Sequence, residues 1–239
     1  MKQLILKSIY QSFDSWAADI RTACHQGCAA CCTQDVTMTE IEGNYILDYI
    51  SKSGRLDWLV DRVSTDDLPL HQPPYTTNEF AQACINEKDT DPGMGTFDRS
   101  CPFLDHKNCS IYEARPFSCR SFASQKACQP GSSAVIPQYY LSAATAVSQL
   151  IEHLAQQQYW GNMLHILYAI IQKRGYGQET IEQDICTRRD LSQRYLLRAK
   201  PLPGFLLSDD ERSIVMPLLV QILSTEIGPR TIEQILNGK

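Results

Sequence analysis

No apolar run in this 239-residue chain is long enough to cross a bilayer. The longest, Met163 to Ile171, is interrupted by His165 and falls far short of the roughly 20 residues a helical span needs. Positive charge is not in excess either: 22 Lys and Arg stand against 27 Asp and Glu, a net charge of -5. That balance gives no general drive toward nucleic acid or an anionic membrane. The chain has no Gly-x-Ser-x-Gly elbow and no His-Glu-x-x-His helix, the signatures of α/β-hydrolases and zinc proteases. Asp91-Pro-Gly-Met-Gly lacks the downstream Gly-Lys-Ser/Thr of a phosphate loop and reads as a flexible approach to Cys101. Met1 to Tyr10 is broken at Lys7 and carries no small-residue cleavage pattern, so it does not read as a signal peptide. Internal repeats and low-complexity tracts are missing. These absences lead us to expect a cytoplasmic protein with neither membrane nor nucleic acid as partner.

Cysteine, in contrast, is abundant, with ten in the chain. Four fall inside nine residues, Cys24-His-Gln-Gly-Cys28-Ala-Ala-Cys31-Cys32. So dense a thiol cluster oxidises and exchanges unless something binds it, and in a reducing compartment metal ligation explains it better than disulfides. A second group comprises Cys101, Cys109, Cys119 and Cys128. Two groups of four suffice for two tetrahedral thiolate sites, or for the ligands of a cluster pair. Cys31 and Cys32 are adjacent, and neighbouring side chains diverge on strands and helices alike. They therefore either serve two metals or split into a ligand and a second thiol. Positions 24, 28, 31 and 32 share one face of a helix if the opening helix reaches that far; a turn-built site is the alternative, favoured by Gly27.

Residues 99–126 carry Arg99, Lys107, Arg115, Arg120 and Lys126 against Asp105 and Glu113, a local +3. Such charge would compensate an anionic thiolate centre. Arg115 and Arg120 are the candidates for binding an anionic cofactor or substrate. His25 and His106 flank cysteines and are expected at the surface or behind the ligands. His165 reads as a hydrogen-bonded core residue, and Cys84 and Cys186 as apolar fillers.

The periodicity predicts a mainly α fold: an irregular cysteine-rich module with a short β-hairpin, then a helical C-terminal part. Leu4, Ile5, Ile9, Phe13, Trp16 and Ile20 recur at helical steps. Thr39-Glu-Ile-Glu42 and Thr76-Thr-Asn-Glu79 read as capping boxes, the first opening a helix over about 40–51 that stops near Gly54. Leu56 to Val63 suggests a short helix. Cys101 to Tyr112 reads as two extended pieces joined by a turn. Later helices are expected over about 138–158, 161–173, 179–198, 208–224 and 231–237. The division is 1–131 for the cysteine module with its opening helix and 132–239 for the helical region, the two packing as separate or single units.

Cys24-x-x-x-Cys28-x-x-Cys31-Cys32, followed by Cys101-Pro-Phe-Leu, Cys109-Ser-Ile-Tyr-Glu-Ala-Arg-Pro and Cys119-Arg-Ser-Phe, resembles the YkgJ-like cysteine-cluster family of zinc- or iron-chelating domains. The resemblance covers about residues 24–128. It implies that Cys24, Cys28, Cys31, Cys32, Cys101, Cys109, Cys119 and Cys128 form the family's cysteine set, with Arg115 and Pro116 as companions and Val36 to Glu40 leading into the next helix. Ala29-Ala30 stands where members often carry glycine, and Cys84 and Cys186 have no counterpart in the pattern. Three readings follow. The first is a protein holding zinc or iron, including as an iron–sulfur cluster. The second is an iron-dependent oxidoreductase or modifying enzyme, with the Cys101-Pro102 pair echoing ferredoxin-type runs. The third is a zinc-stabilised adaptor whose C-terminal helices bind a protein. A structural zinc alone contributes roughly 10–16 kcal/mol of apparent binding energy, comparable to a domain's whole stability.

Overall fold

The structure is a computed structural model that describes residues 1–64, 70–93, 95, 99–129, 133–176 and 195–238. Helix α1 (Lys2–Ala17) buries Ile5, Leu6, Ile9 and Phe13 along one face, the three-and-four spacing of an amphipathic helix. Strand β1 (Thr37–Thr39) leads directly into α2 (Glu40–Lys52). Thr39 is its N-cap and Glu42 completes the capping box. The helix closes at Gly54 (φ +67°), whose amide donates to Ser51 O while that of Arg55 donates to Ile50 O. A left-handed glycine at that point satisfies the last carbonyls of the helix. Helices α3 (Leu56–Ser64) and α4 (Thr77–Ile85) follow, the second opened by the Thr76/Glu79 capping box.

The hairpin β2 (Leu104–Asp105) and β3 (Asn108–Cys109) turns through His106 at φ +55°. A 3-10 turn over Tyr112–Ala114 leads to the short α5 (Phe117–Ser121). Helix α6 (Gln138–Leu154), strand β4 (Tyr159–Asn162), α7 (Met163–Lys173), strand β5 (Leu197–Arg198), α8 (Asp209–Ser224), the β6–β7 pair (Glu226–Ile227 and Arg230–Thr231) and α9 (Ile232–Leu236) complete the described chain.

The chain is mainly α, with the cysteine-rich region before the later helices, as its patterning predicts. Local differences have physical causes. The opening helix stops at Ala17, short of Ile20. The helix expected from 161 starts at Met163, because Tyr159–Asn162 is drawn into a three-stranded antiparallel sheet of order β1-β4-β5. Its register pairs Met38 with Gly161 and Trp160 with Leu197. Asn162 then caps α7, its side-chain oxygen accepting the Leu164 amide at 3.0 Å. The helix expected over 179–198 lies mostly outside the described residues, and its last two positions are β5.

Two apolar cores hold these elements. One joins α1, α6 and α8 with Phe117 of α5; the other joins α2, α3 and α7 with Phe103 and Ile111 of the cysteine-rich stretch. Elements from both sides of residue 131 contribute to each core. Helices α2 and α7 meet at Gly43, where a Cβ would lie 2.6 Å from Ile170 Cδ1 and 2.8 Å from Ile166 Cγ2. A residue without a side chain is what permits that approach.

Candidate metal centre

Between Ala17 and β1 the chain winds through turns. Cys28 N donates to His25 O (3.0 Å), Cys32 N to Ala29 O (3.2 Å) and Thr33 N to Cys31 O (3.0 Å), with Gly27 at φ +92°. The continued-helix alternative is therefore replaced by the turn-built one: a residue at φ +92° ends any α-helical path.

Two backbone contacts fasten this stretch to the second cysteine group. The Cys101 amide donates to Cys32 O (3.0 Å) and the Gln34 amide to Arg99 O (3.0 Å), flanking an antiparallel bridge between Thr33 and Ser100. Cys32 and Cys101 are thus directly opposite, on the same side of the paired segments. At the other end, Ala23 N donates to Ser124 O (2.7 Å) and Ser124 N to Cys24 Sγ (3.3 Å). Ser124 is itself fixed by its hydroxyl, which donates to Lys126 O and accepts from Val135 N. The β2–β3 pairing sets Leu104 opposite Cys109, and Leu104 N returns to Cys101 O at 3.1 Å. Cys119 sits on α5, its amide donating to Pro116 O at 3.0 Å.

The electrostatics follow from this crowding. Burial first, and then Cys101 and Cys109, push the Cys119 thiol far up, while Arg115 pulls it back. Burial raises Cys109 as well, against the Ile111 amide and Arg115, which lower it. Burial raises Cys24; the Ser124 backbone hydrogen bond opposes this, and Cys28, Cys31 and Cys128 add to it. The adjacent pair splits: the hydrogen bond between them raises Cys31 and lowers Cys32. The raised thiols, Cys24, Cys31, Cys109 and Cys119, hold their protons more tightly, so a cation binding there would have to displace them. Among the described residues, no three His, Cys, Asp or Glu side chains converge at ligating separation. The donor set nonetheless suits zinc or iron, since it is all sulfur, and backbone amides already donate to Cys24 and Cys109 in the manner that stabilises a thiolate.

Arg115 lies over the Tyr112 ring at 3.8 Å and donates through Nη1 to Tyr112 O at 2.8 Å. Arg120 donates to Asp14 Oδ2 at 2.7 Å and to Glu113 O at 3.2 Å, lies 4.6 Å from the Tyr10 ring centroid, and has a side chain only 11% exposed. Its guanidinium is engaged in joining α5 to α1. His25 is exposed and bonds Ala23 O through Nδ1 at 3.0 Å; His106 is exposed at the hairpin tip. His165 is a core residue, as expected, but neither ring nitrogen finds a hydrogen-bond partner among the described residues. Its ring stacks on Tyr195, and burial pushes its pKa down to about 4. Cys84, expected as a buried filler, is exposed on α4. Cys186 lies outside the described residues.

Two supporting residues escaped sequence reasoning. Ser124 has no spacing signal that would tie it to Cys24. Glu42 was readable as a capping-box residue only, yet its Oε1 also accepts from Tyr10 Oη and from Phe117 N.

Residues 23–135 match the model of the CxxCxxCC family, described as "Putative zinc- or iron-chelating domain". The family's name spells two residues between its first two cysteines. Here three intervene, the last of them Gly27 at φ +92°. Comparison with curated proteins and comparison with solved structures each return no match. No helix among the described residues is long and apolar enough to cross a membrane.

Proposed function

We propose that this protein, whose residues 23–135 match the CxxCxxCC family model, binds zinc or iron through the thiolates of Cys24, Cys28, Cys31, Cys32, Cys101, Cys109, Cys119 and Cys128. The observation that carries this reading is the pairing of Cys32 with Cys101 across the Thr33–Ser100 bridge. It joins two cysteine groups nearly seventy residues apart in sequence, and such convergence of soft donors is what a thiophilic cation requires. A bound ion would neutralise the thiolates and cross-link segments that otherwise have little regular structure. The chain's own residues supply the rest: amides of Ser124 and Ile111 donate toward sulfur, and Arg115 supplies positive charge beside Cys109 and Cys119.

The test is anaerobic purification followed by elemental analysis and an absorption spectrum. Zinc would appear without colour. Iron with acid-labile sulfide and visible bands would identify an iron–sulfur cluster, the form that the Cys101-Pro102 pair favours. Protein purified under metal-replete conditions that carries neither metal, with all ten thiols free, overturns the proposal.

A further inference from the structure

The pairing of Cys32 with Cys101 depends on a stretch of chain that has no helix of its own to hold it. Past the Thr33–Ser100 bridge, the Gln34 amide donates to Arg99 O at 3.0 Å. The carbonyl of the same residue is held from the other half of the protein. Asn162, 0% exposed, donates through Nδ2 to Gln34 O at 2.8 Å and to His71 O at 3.1 Å. Its Oδ1 accepts the Leu164 amide at 3.0 Å, and its own amide donates to Gln72 Oε1 at 2.8 Å.

Capping α7 needs only the side-chain oxygen, a task that Ser or Asp performs about as well as Asn. What Asn adds is the NH2 group, whose two donors both go to carbonyls outside the helix. One of those carbonyls lies two residues beyond Cys32. The other belongs to the segment before α4, whose Gln72 reaches Asn162 because its neighbour is a glycine: a Cβ on Gly161 would lie 2.5 Å from Gln72 Oε1. Asn78 forms a matched clamp elsewhere. It is 1% exposed, and its Nδ2 donates to Gln149 O at 3.1 Å and Lys200 O at 3.0 Å, neither in a cysteine-bearing segment.

We infer that Asn162 is a positioning residue for the metal centre: its side-chain amide fixes the Gln34 carbonyl, and through it the register that sets Cys32 opposite Cys101. This rests on the thiolate–metal reading above and places part of the centre's support outside residues 23–135. Order that the chain supplies before the ion arrives does not have to be supplied by binding. Without the amide, Gln34 O loses that donor and the register rests on backbone hydrogen bonds alone.

The test uses the full chain, reduced and metal-free, titrated with Co(II) as a coloured stand-in for zinc or iron and followed by the thiolate-to-cobalt charge-transfer band against a competing chelator. Asn162→Ser keeps an oxygen to cap α7 and removes both donors. Asn78→Ser removes the matched pair. Both should lower the melting temperature of the metal-free chain, whereas only Asn162→Ser should weaken Co(II) binding, by roughly tenfold, the scale of one or two lost hydrogen bonds. Unchanged affinity in Asn162→Ser, or equal loss in both variants, overturns the inference. A second measurement needs no variant. By linkage, an ion favoured by these contacts must tighten them in return, so Zn(II) should slow hydrogen exchange of the Met163 amide, which donates to Val36 O at 2.7 Å, more than that of the Asn78 amide on Glu152. Equal slowing at the two also overturns it. A parent chain without the charge-transfer band overturns the thiolate reading itself, and this inference with it.

Discussion

Glu42 Oε1 accepts the backbone amide of Phe117 at 2.8 Å, joining the first turn of α2 to the helix that carries Cys119. The same oxygen accepts from Tyr10 Oη at 2.8 Å, while Oε2 accepts the Thr39 amide and hydroxyl, each at 2.8 Å. Burial first, and then the Glu42 carboxylate, push the Tyr10 phenol well above its ordinary range, so Tyr10 stays a donor. One carboxylate, 3% exposed, thereby satisfies donors from α1, α5 and the β1–α2 junction. Hydrogen bonds to a charged group contribute roughly 1.5–3 kcal/mol each when the partner would otherwise be left unpaired. Glu42→Gln turns one acceptor into a donor facing these donors and is expected to cost about 2–4 kcal/mol of stability. Tyr10→Phe removes a single bond and should cost about 1–3 kcal/mol. Urea unfolding of both variants checks the order, and bound zinc or iron in Glu42→Gln should fall because Phe117 and Cys119 share a short helix.

Substituting single cysteines separates ligands from bystanders. Cys28→Ser and Cys119→Ser are expected to lower metal content and melting temperature. Cys84→Ser changes an exposed thiol on α4, and it should leave metal content unchanged, as should Cys186→Ser. Elemental analysis with parallel thermal melts reads all four. Equal metal loss in every variant would remove the distinction.

His165 predicts an acid-sensitive core. It is 1% exposed and burial depresses its pKa from 6.5 to about 4. The unfolded chain therefore binds the proton more readily than the folded one between those values. Stability is fully present above about 6.5 and falls as pH drops toward 4. At most about 3 kcal/mol is lost by this group, at roughly 1.4 kcal/mol per unit. His165→Phe should flatten that part of the stability curve. Acid also strips metal from thiolates, so the quantity to compare is the difference between variant and parent at equal metal loading across this pH window.

Gly43 of α2 faces Ile166 and Ile170 of α7. Adding a side chain there meets Ile170 and Ile166 at less than normal contact distance. Gly43→Val is expected to lose about 1–3 kcal/mol by overpacking, and more if the helices separate. Its effect should appear in thermal melts.

Much of this was legible in the chain because it rests on local chemistry. Thr39/Glu42 and Thr76/Glu79 announce helix starts through contacts three residues apart, and the hairpin before Cys109 is announced by a polar turn between short extended pieces. The cysteines themselves stand out in the chain because thiols at such close spacing are rare outside metal sites and disulfide frameworks. What could not be read depends on distant partners. β1 has three residues and becomes a strand only because β4 lies beside it, over a hundred residues later. Nothing near Ser124 signals that its amide donates to Cys24. The adjacency of Cys31 and Cys32 pointed to divided roles, but the partner of each depends on the bridge at Thr33 and Ser100.

The pairing of β1 with β4 bears on how this protein can be handled as pieces. The segment 23–135 contains β1, but the strand that hydrogen-bonds to it, Tyr159–Asn162, lies beyond that segment, as do Phe13, whose ring packs edge-on against Phe117 at 4.8 Å, and Tyr140 of the same core. Cut out alone, those residues would carry every thiol of the candidate centre with an unpaired strand edge and a bared aromatic face. An open edge of that kind recruits strands from other chains, so such a fragment should self-associate even with its metal in place.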